Sequence, residues 1–85
     1  MRSTLTDFDR AYHAALSAID RGLLALSAVP YIHEYHEKRA TAQQAFEAFT
    51  MALAAFDERP LPDAAWVHWR QEAADGQAAA KRYLG

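Results

Sequence analysis

The hydrophobic residues of this chain form two stripes that mirror one another about Pro30. In both stripes the apolar positions recur after alternating steps of three and four residues, which is the spacing of one face of an α-helix. The first stripe contains Leu5, Phe8, Tyr12, Ala15, Ile19, Gly22, Leu26 and Val29, and the second contains Ile32, Tyr35, Arg39, Ala42, Phe46, Phe49, Leu53 and Phe56. The pattern predicts two long helices that pack as an antiparallel hairpin.

Pro30 is expected to form the turn between these helices. Proline removes a backbone donor and disfavours helical geometry in the preceding residue, so Val29 should leave the helix. A single kinked helix is the alternative, but it would carry the stripe onto polar positions, whereas restarting at Ile32 recovers the phenylalanines. We therefore expect helix one over about residues 5–29 and helix two over about 31–57. Folding at Pro30 places Gly22 opposite Arg39.

A third stripe follows a polar linker over residues 57–63, which carries Pro60 and Pro62. Asp63 is a suitable N-cap for a helix over about residues 64–84. The stripe of this helix consists of Trp66, Trp69, Ala73, Gly76, Ala80 and Tyr83. Because both tryptophans stand on it, they are predicted to be core residues. The fold prediction is one all-α domain over residues 1–85, a long hairpin closed by a third helix.

The end of the hairpin is predicted to lack a third layer. If helix three returns antiparallel to helix two, it has no residues left beyond the level of Arg39. Uncovered apolar surface usually marks an interface, although a different angle of helix three would bury it. The predicted partner-binding residues are Leu23, Leu26, Val29, Tyr31, Ile32, Tyr35 and His36. We expect the partner to be a second copy, with two hairpins dimerising into a larger bundle, or another protein.

Arg39 is the one charged residue on the second stripe. A guanidinium at such a position needs a partner, and its aliphatic stem needs room. Gly22 would leave that room, and Asp20, Glu37 or Tyr83 would be the partner. Arg39 and Asp20 are therefore predicted to be structural polar residues that fix the register of the helices.

Two histidines and a glutamate form the alternative candidate site. His36 follows His33 by three residues and Glu37 follows it by four, so all three would project from adjacent turns of a helix. The pattern differs from the HExxH motif of zinc proteases. A metal would need further ligands from His13, His68 or a second subunit. The alternative function is therefore metal or small-molecule binding; no other cofactor and no catalytic residue is predicted.

Composition narrows the function classes. With 85 residues the chain is near the size at which burial only just offsets chain entropy, so we expect a homo-oligomer. The absence of cysteine suits a reducing cytoplasm. A net charge of −2 with both signs interspersed argues against nucleic-acid binding, and no apolar run is long enough for a membrane span. We expect a soluble, cytoplasmic, non-enzymatic protein whose partner is a protein.

Residues 19–26, Ile-Asp-Arg-Gly-Leu-Leu-Ala-Leu, resemble the IDxxLLxL stretch in the first helix of the all-helical chorismate mutases. The resemblance implies a three-helix fold and an active site that holds carboxylates. The family pattern places an arginine soon after the leucines and a lysine further along. Here Ala28, Val29 and Pro30 stand there instead, so no active-site residue can be transferred to this chain.

Overall fold

The described residues of the protein form three α-helices and one short 3₁₀ turn. The computed structural model describes residues 2–58 and 63–84, with side chains described from residue 10 onward. The helices are α1, Arg2–Ala28, α2, Tyr35–Glu58, and α3, Ala64–Leu84. All three pack against one another, and no strand occurs in the described ranges. The prediction of an all-α fold is confirmed.

The connection between α1 and α2 is longer than the sequence pattern predicts. Residues Val29–Tyr31 form a single 3₁₀ turn with Pro30 near its start, and the Ile32 N–H donates to the Val29 carbonyl at 3.2 Å. Ile32 is extended, with φ −93° and ψ 123°. Pro30 therefore ends the first helix in a turn and not in a kink.

Glu34 sets the start of α2. Its carboxylate accepts a hydrogen bond from the Glu37 N–H at 2.7 Å, and its carbonyl accepts one from the Lys38 N–H at 2.9 Å. This is the arrangement of an N-cap, which satisfies amides that have no partner inside the helix. The second helix consequently begins at Tyr35 and not at residue 31.

Asp63 caps α3 in the same way. Its Oδ1 accepts hydrogen bonds from the Ala65 N–H at 2.9 Å and the Trp66 N–H at 3.3 Å, and its carbonyl accepts one from the Val67 N–H. The predicted capping role of Asp63 is confirmed. Trp66 is thereby held at the first turn of α3, with its side chain 3 % exposed.

Phe49 lies at the centre of the core and is fully buried. Its ring contacts two glycine backbones: a Cβ at Gly22 of α1 would lie 2.8 Å from the ring, and a Cβ at Gly76 of α3 would overlap it more deeply. Most of the other buried side chains are alanine, which lets the helices approach closely. One phenylalanine on α2 therefore joins all three helices.

This contact corrects the predicted register. Gly22 faces Phe49, not Arg39. The connection over residues 29–34 explains only part of this shift of ten positions, because it moves the centre of the turn by about one residue. The rest requires that α2 is displaced along its axis relative to α1, so that its first turns extend beyond the end of α1. The side chain of a helical residue also points towards the N-terminus of its helix, which carries the Phe49 ring towards Gly22.

Trp66 organises an aromatic cluster where α2 ends and α3 begins. Its ring stacks on Tyr12, with centroids 5.6 Å apart, and meets Phe56 edge-on at 4.9 Å. Its Nε1–H donates to the Phe56 carbonyl at 3.3 Å. Trp69 is half-buried and packs against the same core. The prediction that both tryptophans serve the core is confirmed.

Candidate protein-binding surface

The exposed apolar side chains concentrate where α1 ends, α2 begins and α3 ends. Seven large hydrophobic residues are exposed in the described part of the chain, and five of them belong to this end. We call these five the tip surface: Leu23, Leu24, Tyr31, Tyr35 and Tyr83. The two others are Met51 on α2 and Val67 on α3.

A hydrogen bond from Arg39 places the end of α3 beside the start of α2. The Arg39 Nη1–H donates to the Leu84 carbonyl at 2.8 Å. The last carbonyls of a helix have no donor within the helix, and a cation near them is favourable. The helix α3 therefore ends at the level of Arg39, as the stripe lengths predict. This bond goes to a backbone carbonyl and not to a side chain of Asp20, Glu37 or Tyr83, the partners that the sequence suggests.

The predicted partner-binding residues divide into three groups. Tyr31, Tyr35 and Leu23 are exposed by 81 %, 66 % and 44 %, and His36 is exposed as well. Leu26 and Ile32 are half-buried, and Leu26 packs against the core. Val29 is fully buried, so its assignment to the binding surface is wrong. Val29 opens the 3₁₀ turn, where its side chain is enclosed by the protein itself.

Two members of the tip surface are absent from the predicted set. Leu24 is 73 % exposed and Tyr83 is 43 % exposed. Leu24 stands outside the apolar stripe of α1. A leucine outside the stripe that faces the core is expected to be exposed. Tyr83 stands on the stripe of α3 but in its last turn, beyond the large side chains of α2 that cover the rest of that stripe.

Charged residues surround the tip surface. The first two turns of α2 contribute Glu37, Lys38 and Arg39, and the last turn of α3 contributes Lys81 and Arg82. Glu34 lies just before α2, and its carboxylate is already bonded to the Glu37 N–H. Four cations thus stand among two carboxylates around the tyrosines, and Asp20 and Arg21 stand beside the two leucines.

At the opposite end of the molecule, where α2 ends and α3 begins, an ion pair links these two helices. The Arg70 guanidinium donates to both carboxylate oxygens of Asp57, at 2.6 and 3.2 Å. This hydrogen bonding holds the pKa of Asp57 below its ordinary value and raises the pKa of Arg70. Further along, the Gln77 amide donates to the Thr50 hydroxyl at 3.0 Å. Polar contacts therefore link α2 and α3 on their solvent side.

The alternative metal site does not assemble. His33 lies in the turn before α2, so the spacing of adjacent helical turns does not apply to it. His36 is exposed, with its ring edge-on to Tyr35 at 5.4 Å between centroids. Among the side chains of residues 10–58 and 63–84, no three His, Cys, Asp or Glu groups lie together as a metal would require. His33, His36 and Glu37 therefore form no three-ligand group.

Among the described helices, none combines the length and the apolar character needed to cross a membrane. No family model matches the chain, and searches of curated proteins and of solved structures find no match to it.

Proposed function

We propose that this protein is an interaction module that binds protein through the tip surface, either a second copy of itself or another protein. The observation that carries the proposal is the clustering of exposed apolar side chains at one end. Five of the seven exposed large hydrophobic residues of the described chain lie there. Clustered apolar exposure of this kind is typical of binding surfaces, whereas scattered apolar residues are ordinary.

The helix arrangement that we infer is an antiparallel hairpin of α1 and α2, with α3 running back along α2. Contacts at both ends of α3 support it: Trp66 packs on Phe56 near the end of α2, and Leu84 meets Arg39 near its start. In this arrangement α3 stops about one turn short of the start of α2. Tyr31 and Tyr35 are then exposed because no third helix reaches them.

The residue types at the tip suit protein binding. Three of its five side chains are tyrosines, which are enriched at interfaces because they combine a large apolar face with a hydroxyl and few rotatable bonds. Burying one large apolar side chain contributes about 1.5–3 kcal/mol. Association itself costs roughly 4–15 kcal/mol. Several of these side chains must therefore be buried together, and we expect an interface with a few dominant residues.

A paired substitution tests the proposal. Leu24→Glu with Tyr31→Glu places charge on two side chains that are 73 % and 81 % exposed, so helix content should not change. Self-association is measured by sedimentation velocity, and binding to other proteins by quantitative affinity purification from the native source. We expect the double variant to lose the association that the wild type shows.

The matched control is Met51→Glu with Val67→Glu. These side chains are 59 % and 58 % exposed but lie outside the tip surface. This variant should bind as the wild type does. Equal binding by the tip variant and the control variant would contradict the proposal, as would a wild type that is monomeric and retains no partner.

A further inference from the structure

We infer that the tip surface binds an acidic amphipathic segment of another protein and not a second copy of this chain. The inference rests on the proposed function and concerns the chemistry of the partner. It follows from the charge around the tip and from the size of the end of the molecule.

The charge around the tip surface is positive although the whole chain carries −2. Lys38, Arg39, Lys81 and Arg82 stand against Glu34 and Glu37, while Arg21 and Asp20, one turn before Leu24, balance each other. The ends of α1 and α3 add about half a negative charge each and the start of α2 adds about half a positive one. These partial charges reduce the excess of two cations without cancelling it. The tip is therefore complementary to acidic side chains.

A second copy fits this end poorly. Two identical tips would bring like charges together, which disfavours association. The Cα positions span 51 × 19 × 16 Å. Side chains add about 6 Å to each dimension, so an end-on contact offers a face of roughly 550 Å². A stable interface needs about 800 Å² from each partner. Such a contact would also leave Leu24 uncovered, because that residue stands about 6 Å back along α1 at 1.5 Å of rise per residue.

A single helical segment of a partner can be complementary to the tip surface in charge and can also cover Leu24. A helix is about 10 Å across, so it can lie over the turn and continue along the flank of α1 to Leu24. Apolar anchors at the spacing of one helical face would contact the tyrosines and Leu24. Glutamates or aspartates beside those anchors would face Lys38, Lys81 and Arg82.

A membrane surface is the less favoured occupant. Basic clusters that hold proteins to anionic lipid contain about four to eight cations, each contributing about 1 kcal/mol. Here two carboxylates stand among the four cations, which leaves a small excess. Tyrosine and arginine are, in contrast, the residue types enriched at protein interfaces.

Two labelled peptides test the inference by fluorescence anisotropy with the full chain. Both are 18-residue amphipathic helices with leucine on one face, and the other positions carry glutamate in one peptide and lysine in the other. We expect the glutamate peptide to bind at least tenfold more tightly than the lysine peptide. Binding should weaken several-fold between 50 and 500 mM salt, because salt screens exposed charges.

Variants that remove positive charge show which cations contribute to binding of the glutamate peptide. Lys81→Gln with Arg82→Gln should weaken binding of this peptide three- to tenfold. Arg10 is an exposed cation of α1 far from the tip surface, so Arg10→Gln should leave the binding unchanged. Circular dichroism confirms that the helices of each variant are intact. Equal affinity for both peptides, no binding of either, or binding only to vesicles of phosphatidylserine would overturn the inference.

Sedimentation equilibrium separates this inference from the proposed function. A dimer that Leu24→Glu abolishes would overturn the acidic partner and leave the tip as an interaction surface. A monomer that binds neither peptide nor any protein through the tip would overturn both.

Discussion

Substitution of Gly76 by alanine has two effects of opposite sign on the stability of the fold. In the interior of a helix, alanine is favoured over glycine by about 1 kcal/mol. At this position, however, a Cβ would overlap the ring of Phe49. The ring has little room to move, because the backbone of Gly22 also lies against it: a Cβ at Gly22 would be 2.8 Å from the ring. Packing and helix propensity therefore predict opposite results.

The magnitude follows from these two terms. Overfilling a packed core costs about 1–3 kcal/mol, and the overlap here puts Gly76→Ala at the upper end of that range. After the gain in helix propensity, we expect a net loss of about 1–2 kcal/mol. In a domain of this size, 1 kcal/mol shifts Tm by about 4–8 °C. Thermal unfolding followed by circular dichroism should therefore show Tm falling by roughly 5–15 °C.

A double-mutant cycle with Phe49→Leu assigns the loss to the ring. In the leucine background the ring is absent, so Gly76→Ala should be neutral or stabilising, with a coupling energy of about 1–3 kcal/mol. A Tm that rises in the single variant Gly76→Ala would refute the proposed packing of Phe49. So would the same destabilisation in both backgrounds.

Three further predictions concern the ends of the helices. Asp63→Ala removes the cap of α3 and should cost about 1 kcal/mol in the free energy of unfolding, measured by urea denaturation; no loss would contradict the capping role. Arg39→Gln should speed hydrogen exchange in the last turn of α3 and leave the middle of α3 unchanged, whereas unaltered exchange at that turn would count against the bond to Leu84. Because its pKa is lowered in the folded protein, Asp57 stabilises the fold at neutral pH, and this contribution disappears as pH falls below the ordinary value of 3.8. Asp57→Asn should therefore lower Tm by more at pH 7 than at pH 2.5, and an equal effect at both pH values would be inconsistent with the ion pair.

Much of the helical architecture could be predicted from the sequence, because it depends on local patterns. The spacing of the apolar stripes indicates helices, Pro30 ends the first of them, and Asp63 is a strong cap for the third. The relative lengths of the second and third stripes predict that α3 ends beside Arg39. The helices and their caps are set by residues close together in the chain, whereas the level at which α3 ends follows from comparing the lengths of two stripes.

The register between the helices could not be predicted in the same way. It depends on the displacement of α2 along its axis relative to α1, and in part on the length of the turn, which Glu34 sets by capping α2 through its own carboxylate. Glutamate is a less usual cap than aspartate or serine, so the stripes alone suggest an earlier start. The meeting of Gly22 and Gly76 at one ring of Phe49 joins three distant segments, and no local pattern reports it.

The sequence predicts where the candidate surface lies but not which side chains are exposed there. An uncovered end follows from counting residues along the stripes, but which side chains are exposed there depends on the geometry of the turn. The 3₁₀ turn buries Val29 and exposes Tyr31. Tyr83 joins the surface only because Arg39 holds the end of α3 beside α2.

The most direct test of the tip surface is site-specific photocrosslinking in the native cell. A benzophenone amino acid replaces Tyr31 in one variant and Val67 in a second, two exposed positions of which only the first lies at the tip. We predict a discrete protein adduct from position 31 that disappears when Leu24→Glu is added, and none of comparable yield from position 67. Equal adducts from both positions, or none from position 31, would contradict the account.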